Sequence, residues 1–306
     1  MFLKKLIKQF LIKHFDFIYY GAYHNQVKFI EILKYFFSRK KKIIFNNTVI
    51  IFPIKSFFVY HFFKDNMALR DGDFEKKNIM LFKSIVNNFN ILIDVGANIG
   101  FYSMLFSSKT RNLSYAIELN PMTFYHLNLI TRKNKNIKTY NLAISDKNSF
   151  IDYPKFHPVK MSLKLNTKSY LDLGSITIPT QTIDSFLKKN LLEKKTDTSN
   201  LFLKIDIEGE ETNLFKDSDL LIKEIKPFIL LELHSPKFIK LEDSVNILKY
   251  LDDNSYECYD VNQGLKYIEI KEYNNEKFLL CVPKDKKDKL NKIKKEISNE
   301  ISQISS

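Results

Sequence analysis

Cysteine is nearly absent from this 306-residue chain, which has two, and glycine is scarce, at seven. Cys258 and Cys281 are too few for a disulfide framework or a zinc site, so they read as ordinary core or near-surface residues of a protein in a reducing compartment. An uninterrupted hydrophobic run is missing as well. The apolar stretch from Ile43 to Phe63 is broken by Asn46, Asn47, Pro53, Lys55 and His61, and reads as strands around an Asn-Asn turn, not as a membrane span. Near the N-terminus lysines interrupt the apolar residues and no small-residue cleavage site follows, so no signal peptide is expected.

What the chain has in excess is positive charge, +13 net, and it is unevenly placed. Residues 1–70 hold 13 Lys and Arg against 3 Asp and Glu, residues 71–283 hold 28 of each, and residues 284–306 hold 7 against 4. The chain therefore divides into a basic N-terminal extension, 1–70, a neutral domain, 71–283, and a basic tail, 284–306, with length enough for one large core. A neutral central domain argues against a nucleic-acid channel through an active site, so no nucleic acid partner is expected. In the extension, Leu3, Leu6, Ile7, Phe10 and Leu11 share a helical face, with Lys4, Lys5, Lys8 and Lys13 interspersed. That pattern suits packing on the domain or a partner subunit, or peripheral contact of residues 1–20 with an anionic membrane. In the tail, Leu290, Ile293, Ile297, Ile301 and Ile304 recur at spacings of three and four. An amphipathic helix follows, docking on its own domain or pairing with another chain in a homo-oligomer.

Two of the few glycines fall in one run, Asn90-Ile-Leu-Ile-Asp94-Val-Gly96-Ala-Asn98-Ile-Gly100. Ile91 to Ile93 supply an apolar strand buried on both faces. An acid-x-Gly-x-x-x-Gly turn after such a strand lets backbone approach a ligand closely and points to a cradle for S-adenosylmethionine. The middle glycine of G-x-G-x-x-G is missing, which disfavours a nicotinamide cofactor. Asp94 is expected to meet the methionine ammonium directly or through water, the backbone at Gly96 and Gly100 to touch the cofactor, and Asn98 to turn the loop or bond the carboxylate. About 20 residues on, Ser114-Tyr-Ala-Ile-Glu118 ends on an acid just ahead of Asn120-Pro121, where Glu118 can accept both ribose hydroxyls. A third segment, Thr139 to Asp146, has the same strand-then-polar form and would put Ser145 beside the adenine.

The fourth apolar segment leads into Lys204-Ile-Asp206-Ile-Glu208-Gly209-Glu210-Glu211. Desolvated carboxylates at a buried strand end need partners, and a merely solvated charge cluster fits the apolar approach of Leu201, Leu203 and Ile205 less well. A fifth segment, Pro227 to His234, ends in Glu232-Leu-His234. His234 is the expected catalytic base, because an imidazole titrates near working pH. Asp206 is expected to contact the cofactor's amino group or steer the acceptor, and Glu232, with Glu208 and Glu211, to orient a hydroxyl. A divalent ion held by these acids is the less favoured alternative, and no metal ligands are assigned. Phe101 and Tyr102 read as helix-packing residues. His126, His14, His24 and His61 are expected to be packing or exposed, and His157 falls in a polar segment, Tyr153 to Ser175, read as an acceptor-side loop or lid.

Taken in order, Asp94 to Gly100, Glu118 with Asn120-Pro121, Ala143-Ile-Ser145, Thr182-Ile-Asp184-Ser-Phe186, Lys204 to Glu211, and Lys226-Pro227 leading into Leu231-Glu-Leu-His234 form a set. The set resembles the FkbM-type S-adenosylmethionine-dependent methyltransferases, across roughly Asp71 to Cys281. The resemblance implies an α/β, Rossmann-like class I methyltransferase fold: a mostly parallel doubly wound sheet, here with an N-terminal helical and β extension and a short C-terminal helix. It implies a cytoplasmic O-methyltransferase whose partner is a small-molecule or glycan acceptor: a sugar, a glycoconjugate precursor or a similar hydroxylated metabolite. Rival readings are an RNA methyltransferase and a nonenzymatic binding or scaffold protein retaining the fold. No Asp/Asn-Pro-Pro-Tyr/Phe string occurs, which weighs against methylation of a base amine. Glu210 departs from the family pattern, which more often has a small or apolar residue there.

Overall fold

Along the chain come a hairpin of β1 (Lys40–Phe45) and β2 (Thr48–Pro53), then α1 (Lys76–Asn88), β3 (Ile91–Val95), α2 (Phe101–Phe106), β4 (Leu113–Ile117), α3 (Pro121–Thr131) and β5 (Ile137–Tyr140). Next are β6 (Ala143–Ile144), β7 (Ser149–Pro154), β8 (Ser175–Gln181), α4 (Ile183–Leu187), β9 (Leu201–Ile205), α5 (Glu211–Phe215) and β10 (Phe228–Leu233). The chain closes with α6 (Leu241–Asp253), β11 (Tyr256–Asp260), β12 (Lys266–Tyr267), β13 (Lys277–Pro283) and α7 (Lys287–Ser305). The computed structural model describes residues 40–45, 48–53, 76–154, 175–234, 239–273 and 277–305. The expected N-terminal amphipathic helix, His14, His24, His61, His157 and most of the acceptor-side loop lie outside the described residues.

Eight strands form the central sheet in the order β12-β11-β13-β10-β9-β3-β4-β5. The five from β10 to β5 run parallel, while β13 enters antiparallel between β10 and β11. This is the expected mostly parallel, doubly wound α/β architecture, and it follows from how the strands alternate. On β3, Ile91, Ile93 and Val95 face one apolar core, with α4 and α6; Leu92 faces the other, with α1 and α2. The same division on β9 sends Leu201, Leu203 and Ile205 one way and Phe202 the other. Burial on both faces explains why these strands read as continuous apolar runs.

The ends of the chain share this core. Phe45, Ile50 and Phe52 of the hairpin pack with Phe82 of α1 and Phe101 of α2, leaving Val49 and Ile51 on its outer side. Helix α7 docks on α1: Leu290 and Ile293 are buried, and the Glu296 carboxylate accepts hydrogen bonds from Ser84 and Asn88. Of the two arrangements the tail's periodicity allowed, the structure has the helix packed at home. Cys258 and Cys281 stand opposite one another on β11 and β13 as free, buried thiols. Among the described residues no helix is long and apolar enough to cross a membrane.

Candidate active site

The site is built where the parallel strands end. Past β3 the chain turns at Gly96, with φ of +77°, and its N–H and that of Ala97 donate to the Ile117 carbonyl at 3.0 and 2.9 Å. A Cβ on Gly96 would lie 1.7 Å from the Asp206 carbonyl oxygen, so glycine is required here by the neighbouring strand as well as by the turn. Gly100, at φ +83°, starts α2, and a Cβ there would meet Leu127 of α3 at 2.5 Å. Asn98 lies between them in the left-handed region, and its buried Oδ1 has no hydrogen-bond partner among the described residues.

Past β4, both oxygens of Glu118 are held by backbone: the N–H of Asn98 donates to one at 2.9 Å and that of Asn120 to the other at 2.8 Å. Burial still outweighs these donors and pushes the carboxyl up to about 7. The Asn120-Pro121 pair has a local cause, since Asn120 caps α3 by accepting from the N–H groups of Met122 and Thr123, with Pro121 in the first turn.

These loops line one cleft. Gly96 and Asn98 form one side, Glu118 and Asn120 the next, Leu142 to Ile144 and Tyr153 an apolar wall, and Asp206, Glu208 and Glu210 the acidic wall. Three expected cofactor contacts, Asp94, Gly100 and Ser145, are not among the residues that line this cleft, Gly100 lying against Leu127 of α3. Asp94 is fully buried beneath the cleft, accepting from Ser103 Oγ at 2.8 Å with Lys204 Nζ 3.6 Å away, and burial raises its pKa. It stands there because it is the register partner of Lys204 across β3 and β9, on the same face of the sheet. Ser145 is past the apolar wall, its N–H donating to Gln181, and Leu142, Ala143 and Ile144 line the cleft in its stead.

The catalytic candidates come together. His234, 7% exposed, has its Nδ1 2.8 Å from Glu211, a fully buried carboxylate; its Nε2 faces Asp206 at 3.6 Å, Glu208 at 3.7 Å and Glu232 at 3.8 Å. Burial opposes charge on this imidazole, but the Glu211 bond and the surrounding carboxylates prevail and raise it to about 9. The expectation of an imidazole titrating near neutral pH is corrected accordingly: its neighbours favour the protonated form. Burial, then Asp206, pushes Glu232 up to about 8. Lys204 is the second cation, 3.1 Å from Asp206 and 5.3 Å from the Tyr102 ring; burial opposes its charge, yet Asp206 and Asp94 raise its pKa. Ligand atoms of Asp206, Glu232 and His234 all lie within 4.8 Å of one another, a spacing that can hold a divalent ion, though Lys204 and the imidazolium already compensate these acids.

The FkbM methyltransferase domain matches residues 94–258. The chain belongs to the FkbM methyltransferase family. The matched region runs from Asp94 to Cys258 and takes in the whole cleft and the His234 cluster, so this FkbM-family protein is an S-adenosylmethionine-dependent methyltransferase. No curated protein matches the chain. Similar solved structures include a precorrin-6y C5,15-methyltransferase from Geobacter metallireducens, 12% identical over 68% of this chain and 86% of that one, TM-score 0.37. Another is M. jannaschii TYW2 in complex with AdoMet, 14% identical over 80% and 84%, TM-score 0.33. A third is a human methyltransferase 10 domain containing protein, 12% identical over 74% and 80%, TM-score 0.36.

Sequence reasoning gave no role to Lys204 in the site of this FkbM-family chain, and began the acceptor-side segment at Tyr153, which instead lies on β7 and lines the cleft. Lys204 was legible only as one letter of a motif, because its partner Asp94 is 110 positions away and is identified by strand pairing. Tyr153 lies on β7, in a small sheet ordered β6-β8-β7 of which only β6 carried a motif, Ala143-Ile.

Proposed function

We propose that this methyltransferase transfers the methyl group to a hydroxyl oxygen of a sugar, a glycoconjugate precursor or a similar hydroxylated metabolite, with His234 as the base. The observation that carries the reading is the buried Glu211–His234 pair at 2.8 Å, set among three carboxylates beside the Glu118 cleft. The cleft fits the cofactor: Asn98 Oδ1, buried and without a partner among the described residues, can accept from a ligand, and the Glu118 carboxylate faces a space between backbone turns that would hold a ribose. Bound S-adenosylmethionine supplies a methyl group already activated by its sulfonium. What the chain must add is orientation and removal of the acceptor proton.

Glu211 fixes the imidazole through Nδ1, leaving Nε2 directed at the carboxylates that line the cleft. Once His234 has lost its proton, Nε2 can accept the one released by the acceptor hydroxyl, and Glu211 stabilises the imidazolium that results. Asp206, Glu208 and Glu232 offer acceptor oxygens to the donor hydroxyls of a polyol, an arrangement better suited to a sugar than to an apolar substrate. The reading needs no metal.

The test is calorimetric titration with S-adenosylmethionine and with NAD, followed by labelled methyl transfer to monosaccharide and nucleotide-sugar acceptors. Binding of the first ligand alone, with label on an acceptor oxygen, supports the reading. Cofactor binding with label entering RNA alone, or no transfer to any hydroxylated acceptor, rejects it.

A further inference from the structure

The central domain is neutral in sum but not in space. From residue 76 to 145 the chain has nine Lys and Arg and only two acids, Asp94 and Glu118. Both acids are taken up by the site, Asp94 beneath the cleft and Glu118 on its wall. The turns that follow α2 and α3, residues 107–112 and 132–136, contain no Asp or Glu of their own.

Five of the nine cations gather at one place. The turn after α2 and the turn after α3 are tied together, the Asn136 amide donating to the Thr110 carbonyl at 2.8 Å and the Asn134 amide to that of Ser107 at 3.5 Å. Lys109 and Arg111 on the first turn thus adjoin Arg132, Lys133 and Lys135 on the second, and the last three are exposed. The end of a helix dipole favours cations at Arg132 and Lys133, but accounts for neither the neighbouring turn nor the lack of acids. Since α3 begins beside the cofactor cleft, its far end puts this cluster at the opposite edge of the sheet.

Beside the basic turn is a cleft of about 630 Å³, with Ile51, Met104, Leu129 and Ile130 among its apolar lining and Arg132, Lys133 and Lys135 at its rim. The hairpin next to it leaves Val49 56% and Ile51 45% exposed, and Lys42 is the cross-strand partner of Ile51, so both project from the same side. Exposed aliphatic side chains bordered by cations match an anionic bilayer, whose phosphates meet the cations while its acyl region takes the aliphatics. The five apolar residues just named include no aromatic ring, and rings are what single-stranded nucleic acid would stack on.

We propose that the outer side of the β1–β2 hairpin and the basic turn after α3 form a docking face for an anionic phospholipid membrane, separate from residues 1–20 and pointing the cofactor cleft away from the bilayer. The proposal is independent of the acceptor. The test is co-sedimentation of the full chain with phosphatidylcholine vesicles, with and without phosphatidylglycerol. Three full-length variants are compared: the triple Arg132→Glu, Lys133→Glu, Lys135→Glu; the single Ile51→Asp; and Lys4→Glu, Lys5→Glu, Lys8→Glu. Each must keep the wild-type affinity for S-adenosylmethionine, which confirms that it is folded. The wild type should bind only the anionic vesicles, and the triple variant should lose about tenfold or more of that partitioning, with a smaller loss for Ile51→Asp. The idea is overturned if the wild type binds neither vesicle, if only the N-terminal lysine variant loses binding, or if the triple variant loses RNA binding instead.

Discussion

His234 and Glu118 show how burial sets the chemistry of single residues. Because the carboxylates hold His234 near 9, its neutral form becomes more abundant as pH rises, so the methyl-transfer rate should climb toward about 9. Glu211→Gln removes one of the charges that raise it, so the rising limb should move to lower pH; an unmoved limb would end the base assignment. His234→Ala should lower kcat about a hundred- to ten-thousandfold with S-adenosylmethionine affinity unchanged, as read by steady-state kinetics and calorimetry. Glu118, pushed to about 7, is partly protonated at neutral pH. Ribose hydroxyls donating to it favour the ionised form, so cofactor binding near pH 7 should release protons. Calorimetry in buffers of different ionisation heat should show that release in the wild type and lose it in Glu118→Gln.

Among the elements, the loop after β3 has little freedom. The Asp206 carbonyl occupies the place a side chain would need at Gly96, so Gly96→Ala should cost on the order of 1–3 kcal/mol from backbone strain, and more from the contact itself. Denaturant unfolding should show that loss together with weakened cofactor binding; a variant as stable as wild type would mean that the strand ends can separate. Helix α7 is held by its apolar stripe, and Ile293→Ala should cost about 2–5 kcal/mol in the same assay. The parallel strands were legible because each apolar run ends on an acid or a glycine, as at Asp94, Glu118 and Asp206. The catalytic cluster was legible for the same reason, since Asp206, Glu232 and His234 all follow buried runs. Hidden from the sequence were pairings between distant strands, which sink Asp94 beneath the cleft and join it to Lys204. Also hidden was how closely four carboxylates surround His234, which keeps a proton on an imidazole expected to titrate near working pH.

For the whole molecule, the site is a stability cost that depends on pH. Glu118 and Glu232, raised from an ordinary 4.5 to about 7 and about 8, burden the ligand-free fold increasingly as pH rises above 4.5. His234, raised from 6.5 to about 9, adds stability that is fully present below 6.5 and is lost as pH rises through 9. All three act in one direction, so the urea midpoint of the ligand-free protein should fall between about pH 6 and about pH 9. A midpoint that rises over this interval would contradict the electrostatics of the cluster. The position of β13 bears on how the protein is made. Residues 277–283 insert between β10 and β11 although they follow both in the chain, and Phe278 pairs directly with Glu232. A nascent chain therefore carries β10 with one edge bare until residues 277–283 have been synthesised. A premature stop ahead of Lys277 would yield no smaller enzyme, only a sheet open to aggregation at the strand that leads to His234.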